Sequence, residues 1–340
     1  MSELPLISVV IATFNRQELL VKAIDSVLAS EDVDGIYELI VVDNCSTDET
    51  PGILANYTAQ GVLLACSEDR PGASFARNLG IQRARGEYIA FIDDDAMAEP
   101  GWIRTAARLI REFSPDALGG PIFPYYLSPK PEWFRDEYEI RHHHTETGWY
   151  PGDTGSYLSG SNMIFRASVL KELGGFDTTI GPMGNKFGYG EDSDLMMRAH
   201  SAGKRIYYSY DLRVRHYVPP VKMTVSYIFS RYYEHGKALY RLDRQHHPGR
   251  LRNLSRESVY TEILGKQEWI FGQLKNKREP GTEHDLIREL IPAVRIMGYS
   301  AEYLDTVKKK RKSLGSFLLD LNLRRILFYF RYYLLRTGRK

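Results

Sequence analysis

Between Ile7 and Ile92, short unbroken apolar runs alternate with segments whose apolar residues recur every three or four positions. The first pattern suits strands buried on both faces and the second suits amphipathic helices packed on them, so the chain is expected to build a mostly parallel sheet flanked by helices. Strands are expected at Ile7–Ala12, Glu38–Val42, Val62–Cys66 and Tyr88–Ile92. Leu20, Ala23, Ile24, Val27 and Leu28 mark one face of the first helix. Asn15 with Glu18, and Ser46 with Glu49, have the spacing of capping boxes that would open the first two helices, with Gly61 closing the second. A third helix over Ser74–Ala84 follows the turn at Pro71-Gly72, Gly86 ends it, and Pro100 with Gly101 announce another. In such a sheet ligands bind beyond the carboxyl ends of the strands. The polar groups just there are Thr13-Phe14-Asn15-Arg16, Asp43-Asn44, Glu68-Asp69-Arg70 and Asp93-Asp94-Asp95, which are expected to share one rim.

From residue 121 to 157 the periodicity is lost, and prolines alternate with Tyr125, Tyr126, Trp133, Phe134, Trp149 and Tyr150. An irregular segment follows from this; its aromatics either line a groove or pack a loop that has no other core. Helical spacing returns at Ala167–Leu173 and Asp192–Ala202, and strands are expected at Arg205–Tyr210 and Val214–Val218. Beyond Pro219-Pro220 the pattern is helical, which places a boundary after residue 217 and divides the chain into 1–217 and a helical extension, 218–340.

Composition alters this picture in two respects. The net charge of +2 conceals eleven Lys/Arg and one acid in residues 308–340, against −8 for residues 1–307. That tail runs basic residues along an apolar helix, which suits the surface of an anionic membrane; the alternative is a helix packed on the main domain. Nucleic acid is not expected as a partner, because the rest of the chain is acidic. Cys45 and Cys66 are too few for a disulfide framework and read as buried free thiols, in keeping with a cytoplasmic location. The first apolar run has no basic flank and is too short to span a membrane, so it reads as a strand. His142-His143-His144 reads as solvated, since three adjacent histidines cannot all face one ion. No P-loop is present, and no glycine-rich turn follows the first strand, which excludes the usual ATPase and dehydrogenase fingerprints.

Two clusters carry candidate chemistry. Three consecutive carboxylates at the end of a buried strand are costly unless a cation offsets them. Hard cations such as Mg2+ and Mn2+ take such oxygen ligands together with phosphate oxygens and water. Asp93 and Asp95 face the same way in extended chain. The second cluster, Gly188–Gly203, opens a helix with Glu191, Asp192 and Asp194. A helix N-terminus accounts for one acid there, and a carboxylate aimed into a cleft can serve as a general base.

Taken together, the chain resembles glycosyltransferase family 2. The resemblance rests on PLISVVIATFNR (Pro5–Arg16), ELIVVDNCSTDET (Glu38–Thr50), GASFARNLGIQRARGEYIAFIDDDA (Gly72–Ala96), and LGGFD (Leu173–Asp177) followed by GEDSDL (Gly190–Leu195), in that order. It implies an α/β fold of the GT-A type, a Rossmann-like sheet with a nucleotide-sugar half over about residues 1–120 and an acceptor half over about 121–217. It further implies inverting transfer from a nucleotide-diphosphate sugar, with a UDP-sugar favoured, to a glycan or lipid-linked saccharide. Matching positions assign Thr13, Asn15, Arg16, Asp43, Arg77, Asp93 and Asp94 to the nucleotide sugar. Asp95, Asp93 and His216 are assigned to Mn2+ or Mg2+, and Asp192 is assigned as catalytic base with Glu191 orienting it. A homo-oligomer and peripheral contact with the inner face of the membrane through residues 308–340 complete the expectation. A GT-A-like nucleotidyltransferase and an inactive nucleotide-sugar-binding protein remain alternatives.

Overall fold

The computed structural model describes residues 4–30, 35–141, 146–150, 158–182, 188–251 and 283–307, with 265, 268, 269 and 272. The three histidines at 142–144 and the basic tail at 308–340 lie outside the described residues. By its contacts the chain divides into two compact units: residues up to Leu127 with Glu139–Val218, and Ser128–Tyr138 with the described residues from Pro219 onward.

In the first unit an eight-stranded sheet has the order β3-β2-β1-β4-β9-β6-β10-β8. Its strands are β1 (Ile7–Thr13), β2 (Tyr37–Asp43), β3 (Leu64–Ser67), β4 (Tyr88–Phe91), β6 (Ala117–Gly119), β8 (Gly148–Trp149), β9 (Met163–Arg166) and β10 (Ile206–Tyr208). All but β8 and β9 run in one direction. A small sheet, β5-β11-β7, joins β5 (Ala96–Ala98), β11 (Val214–Tyr217) and β7 (Ile122–Tyr125). Ile122–Tyr125, within the segment expected to be irregular, therefore supply a strand, one too short and proline-broken to show a period. The helices are α1 (Gln17–Leu28), α2 (Thr50–Ala59), α3 (Ala73–Arg83), α4 (Trp102–Phe113), α5 (Ala167–Leu173) and α6 (Glu191–Ser201).

Alternation along the strands decides which face each residue serves. Ile7, Val9 and Ile11 with Leu39 and Val41 pack with α1 and α4. Val10, Ile40 and Val42 face the other side, with Ala76 of α3 and the apolar faces of α5 and α6. With both faces covered, the central strands read as continuous apolar runs. Gly80 of α3 allows a close approach, since a Cβ there would come within 2.3 Å of Val10 Cγ1. Arg77 stands one turn earlier on the same face, so this approach carries it in beneath the sheet rim.

Neither expected capping box forms. Asn15, at φ 52°, and Ser46 sit on facing turns, and their side chains join those turns. The Asn15 N–H donates to Ser46 Oγ at 2.9 Å, and Asn15 Oδ1 accepts from the Thr47 N–H at 2.7 Å. Asp48 accepts from the main-chain N–H groups of Gln17 and Thr50.

In the second unit α7 (Val225–His246) packs with α8 (Glu283–Val307). A Cβ on Gly298 would lie 1.8 Å from the Tyr233 carbonyl oxygen, so the helix backbones nearly touch there. Trp133, Phe134 and Tyr138 form an aromatic cluster, and the Tyr138 hydroxyl lies 2.7 Å from His284 Nδ1. These aromatics of the 121–157 segment serve packing. No helix among the described residues is long and apolar enough to cross a membrane.

Candidate active site

The parallel register aligns strand ends: Thr13 is level with Asp43, and Asp43 with Ser67. Thr13, Asp43, Glu68 and the Asp93–Asp95 run therefore share a rim, because each polar group leaves its strand at the same height. Asp43 Oδ1 accepts from the Ser46 N–H at 3.1 Å. Asn44 is buried and fastens the next turn, donating to the Glu68 and Arg70 carbonyls and accepting from the Gly72 N–H at 2.7 Å. Hydrogen bonds from the Arg70 side chain outweigh burial and lower the Glu68 carboxyl to about 2. Cys45, expected to be buried, is exposed, and Cys66 is half-buried. The left-handed φ of 67° at Cys45, in the turn after β2, is what puts it outside.

The three acids after β4 take separate directions. Asp94 turns back to the end of β1, where it accepts from Thr13 Oγ1 at 2.8 Å. Burial and the Asp95 charge push its carboxyl up to about 7. Asp95 is buried between two cations or donors, with Arg16 Nη1 at 2.9 Å from Oδ2 and His216 Nε2 at 3.1 Å from Oδ1. The antiparallel pairing of β11 with β5 sets His216 opposite Ala96, next to Asp95. Asp93 Oδ1 takes Arg77 Nη2 at 2.9 Å, and Oδ2 accepts a short bond from the Ser161 hydroxyl. Burial opposes ionisation of Asp93, but Arg77, His216 and Ser161 together hold its carboxyl below the usual range.

One ligand atom each from Asp93, Asp95 and His216 lies within 4.8 Å of the other two. His216 Nδ1 is 3.0 Å from the Tyr217 carbonyl, which can only accept, so Nε2 is the nitrogen turned toward the carboxylates. A lone pair there would be repelled by two carboxylate oxygens unless a proton or cation stood between them. Metal-bound histidines commonly donate their other ring N–H to a carbonyl, as this one does. This donor set fits a hard divalent cation whose remaining positions go to water and phosphate oxygens.

Arg77, matched above to a nucleotide contact, is enclosed by protein carboxylates. Besides Asp93 it meets Glu191 Oε1 at 3.1 Å and Asp192 Oδ1 at 3.6 Å, with the Phe176 ring centroid 5.3 Å from its guanidinium carbon. Burial works against the cation, but the three acids raise its pKa and keep it charged. It thus joins the two acidic clusters, one at the end of β4 and one at the start of α6.

Within α6, Asp194 is fully buried and paired with Arg198 at 2.7 Å, so this acid is structural. Glu191 is pushed up to about 7 by burial and by the Asp192 charge. Burial raises the Asp192 carboxyl as well, with Arg77 opposing. Its Oδ2 accepts from the Gly160 N–H at 2.7 Å. Its Oδ1 is buried and has no hydrogen-bond partner among the described residues. Gly160 and Ser161 were not singled out from the sequence, although the small polar run Ser159–Asn162 just before an apolar strand is an unusual feature that marks them. Asn162 completes that run: it accepts from Trp102 Nε1 at 3.0 Å and donates to the Pro121 and Leu212 carbonyls.

Comparison with known proteins agrees with this geometry. The model of glycosyl transferase family 2 matches residues 8–174. The glucosyl-dolichyl phosphate glucuronosyltransferase of Haloferax volcanii is 31% identical over 222 residues, 62% of this chain and 68% of that protein. The succinoglycan biosynthesis protein ExoO of Rhizobium meliloti is 38% identical over 120 residues, 35% of this chain and 32% of that protein. Among solved structures, S. aureus TarS 1–349 in complex with UDP-GlcNAc superposes with a TM-score of 0.53 at 19% identity, covering 98% of this chain and 92% of that one. Mannosyltransferase PcManGT from Pyrobaculum calidifontis, in complex with GDP-Man and Mn2+, gives 0.52 at 16% identity, covering 99% and 85%. At such identity these two likenesses speak for the GT-A fold alone. Motif order, strand-end acids and these matches converge: the chain belongs to glycosyltransferase family 2.

Proposed function

We propose that the chain transfers a sugar from a nucleotide-diphosphate sugar, a UDP-sugar by preference, to a hydroxyl of a glycan or lipid-linked saccharide, with inversion at the anomeric carbon. The observation that carries this reading is Asp192 Oδ1, a buried carboxylate oxygen without a hydrogen-bond partner among the described residues, tied through Arg77 to the Asp93–Asp95–His216 group. Such an oxygen is available to take a proton from an acceptor hydroxyl. Gly160 holds the other oxygen, and Glu191 shares Arg77 Nη1 with Asp192 while Asp93 takes Nη2, so the base is oriented. Asp93, Asp95 and His216 would hold Mn2+ or Mg2+, which when bound offsets charge on the departing diphosphate.

Thr13, Asn15, Arg16, Asp43, Arg77, Asp93 and Asp94 are proposed to contact the nucleotide sugar, with residues 1–217 as catalytic domain, about 1–120 serving the donor and about 121–217 the acceptor. The relatives support this choice of substrates, since one is named for a dolichyl phosphate acceptor and two neighbours hold UDP-GlcNAc or GDP-Man. The basic residues 308–340 are proposed to meet an anionic membrane surface; sedimentation with anionic vesicles that survives truncation at residue 307 would refute this. Homo-oligomerisation is proposed from the resemblance alone, and a monomer in sedimentation velocity would end it.

The deciding experiment supplies purified protein with a panel of nucleotide sugars, acceptor glycans and Mn2+ and follows nucleotide diphosphate release. Turnover that is abolished by EDTA and by Asp95→Asn or Asp192→Asn is expected. If no donor is consumed, and neither substitution changes donor binding, the reading fails.

A further inference from the structure

The first unit holds a second concave site at the other end of its sheet. β10 runs parallel to β6, and both β6 and β4 lie antiparallel to β9. Arg205, just before β10, therefore sits at the end where β4 begins, three strands across from the acidic rim. Strand rise and spacing put it roughly 20 Å from Asp93. The cavity there measures about 420 Å3 and is lined chiefly by Trp149, Tyr150, His200, Lys204 and Arg205. That volume falls within the range of small-ligand sites.

The short strand β8 gives this cavity a rigid wall. Trp149 pairs with Tyr207 across β10, and the Tyr150 N–H donates to the Ile206 carbonyl at 2.8 Å. The indole meets Tyr207 at 5.2 Å and Phe113 at 6.2 Å, both near perpendicular. It nonetheless keeps 44% of its surface exposed. The Arg205 guanidinium carbon lies 4.8 Å from the indole centroid.

Charge around the cavity is one-sided, since no carboxylate lines it among the described residues. Lys204 is paired with Glu172 at 2.6 Å, outside the lining. Asp116 accepts only the main-chain N–H of Arg205. The Arg205 guanidinium donates to the Ser114 carbonyl at 3.4 Å, an acceptor already shared with Arg166 at 3.3 Å. A cation at the C-terminus of α4 suits the helix dipole, which accounts for part of this arrangement. Among the described residues it leaves most of the five guanidinium donors of Arg205 without a hydrogen bond. Neither Arg205 nor His200 meets a carboxylate side chain within ion-pair distance among the described residues.

The Arg205 guanidinium lies over one face of the indole, whose remaining exposed surface offers an apolar contact, while the guanidinium fork offers paired donors to a carboxylate or phosphate. A pyranose ring bearing an anionic substituent presents both complements at once. We propose that this cavity is a second saccharide site, separate from the acidic rim and selective for a sugar residue carrying a carboxylate or phosphate.

Saturation-transfer NMR on the full chain tests this in EDTA, with glucuronic acid and glucose as observed probes and inorganic phosphate, which has no carbon-bound proton, as a competitor of glucuronic acid. The readout is direct binding without donor or metal, so its failure is separate from failure of the proposed transfer. Transfer to the ring protons of glucuronic acid is expected, with at least tenfold weaker binding of glucose. Arg205→Gln, at an exposed position, and Trp149→Ala should each weaken glucuronic acid binding at least tenfold. Nucleotide diphosphate release in Arg205→Gln should match the parent. Because Trp149→Ala also loses packing on Phe113 and Tyr207, Arg205→Gln decides the matter if the tryptophan variant melts early. The proposal is overturned by absent glucuronic acid binding, by equal binding of glucose, or by phosphate alone binding as tightly as glucuronic acid. Unchanged affinity in Arg205→Gln overturns it as well.

Discussion

Arg77→Met is the perturbation that the geometry makes most informative. The side chain is only 9% exposed and lies at 2.9, 3.1 and 3.6 Å from Asp93, Glu191 and Asp192. Removing one partner from a buried ionic group costs about 3–5 kcal/mol, because the charges left behind are neither solvated nor paired. For a domain of this size each kcal/mol lowers Tm by about 2–4 °C, so a fall of roughly 6–20 °C is expected. The loss should depend on pH. Glu191 already sits at about 7 and Asp192 is raised, so the folded state binds more protons than the unfolded one, and their ionisation costs stability that grows as pH rises from the ordinary carboxylate range through 7. Without the Arg77 cation both carboxyls move higher still, so the gap from the parent should be larger at pH 8 than at pH 6. Differential scanning calorimetry in EDTA, at both pH values, measures this. Adding Asp192→Asn to the variant removes a stranded charge and should recover part of the loss at pH 8. A Tm gap below about 2 °C, or one independent of pH, would mean that Arg77 reaches solvent and does not join the clusters.

Three further outcomes follow from the same packing. Asp192→Asn should lower nucleotide diphosphate release by about 10²–10⁴-fold at unchanged or higher Tm, since it deletes a buried like charge, and the acid limb of the parent kcat/KM profile should lie above the ordinary aspartate range; a profile flat down to pH 4 would contradict a base of raised pKa. Gly160→Ala puts a Cβ 2.7 Å from Asp192 Oδ1 and 3.0 Å from Arg77 Nη2, so kcat should fall while KM for the donor holds, and steady-state kinetics with unaltered kcat would refute the placement of the base. Gly298→Ala would meet the Tyr233 carbonyl at 1.8 Å and should destabilise by about 1–3 kcal/mol in chemical denaturation, whereas a helical glycine without that neighbour would gain stability from alanine.

What the sequence made legible was whatever depends on local periodicity. The buried strands, the amphipathic helices and the acids that leave β4 and enter α6 all appear in one linear pass. Capping did not, because Asn15 and Ser46 obey the local spacing rule but face each other across adjacent turns, and the long-range bonds displace the local ones. β5 and β7 are three or four residues long, below the length at which alternation is visible, whereas β11 falls on the strand expected from Val214. The partners of Asp93 and Asp192 were hidden for the same reason of distance in sequence: Ser161 lies 68 residues from Asp93, and Gly160 lies 32 from Asp192.

Arg77 is where the structure adds most to the sequence. An arginine in a nucleotide-binding motif invites assignment to the diphosphate, and its residue type is equally suited to either partner. What the structure adds is depth: Gly80 draws α3 onto β1, and the guanidinium arrives below the rim, where Asp93, Glu191 and Asp192 converge from two elements. Had it stayed above the rim, three carboxylates would face one another in a desolvated space, and protonation would have removed the base along with one ligand of the cation group. With Arg77 between them, the Asp93 carboxyl is held below and the Asp192 carboxyl stays above the usual range, so one cation serves two carboxyls in different surroundings. A single buried cation thereby bears on the carboxyls of both acidic clusters.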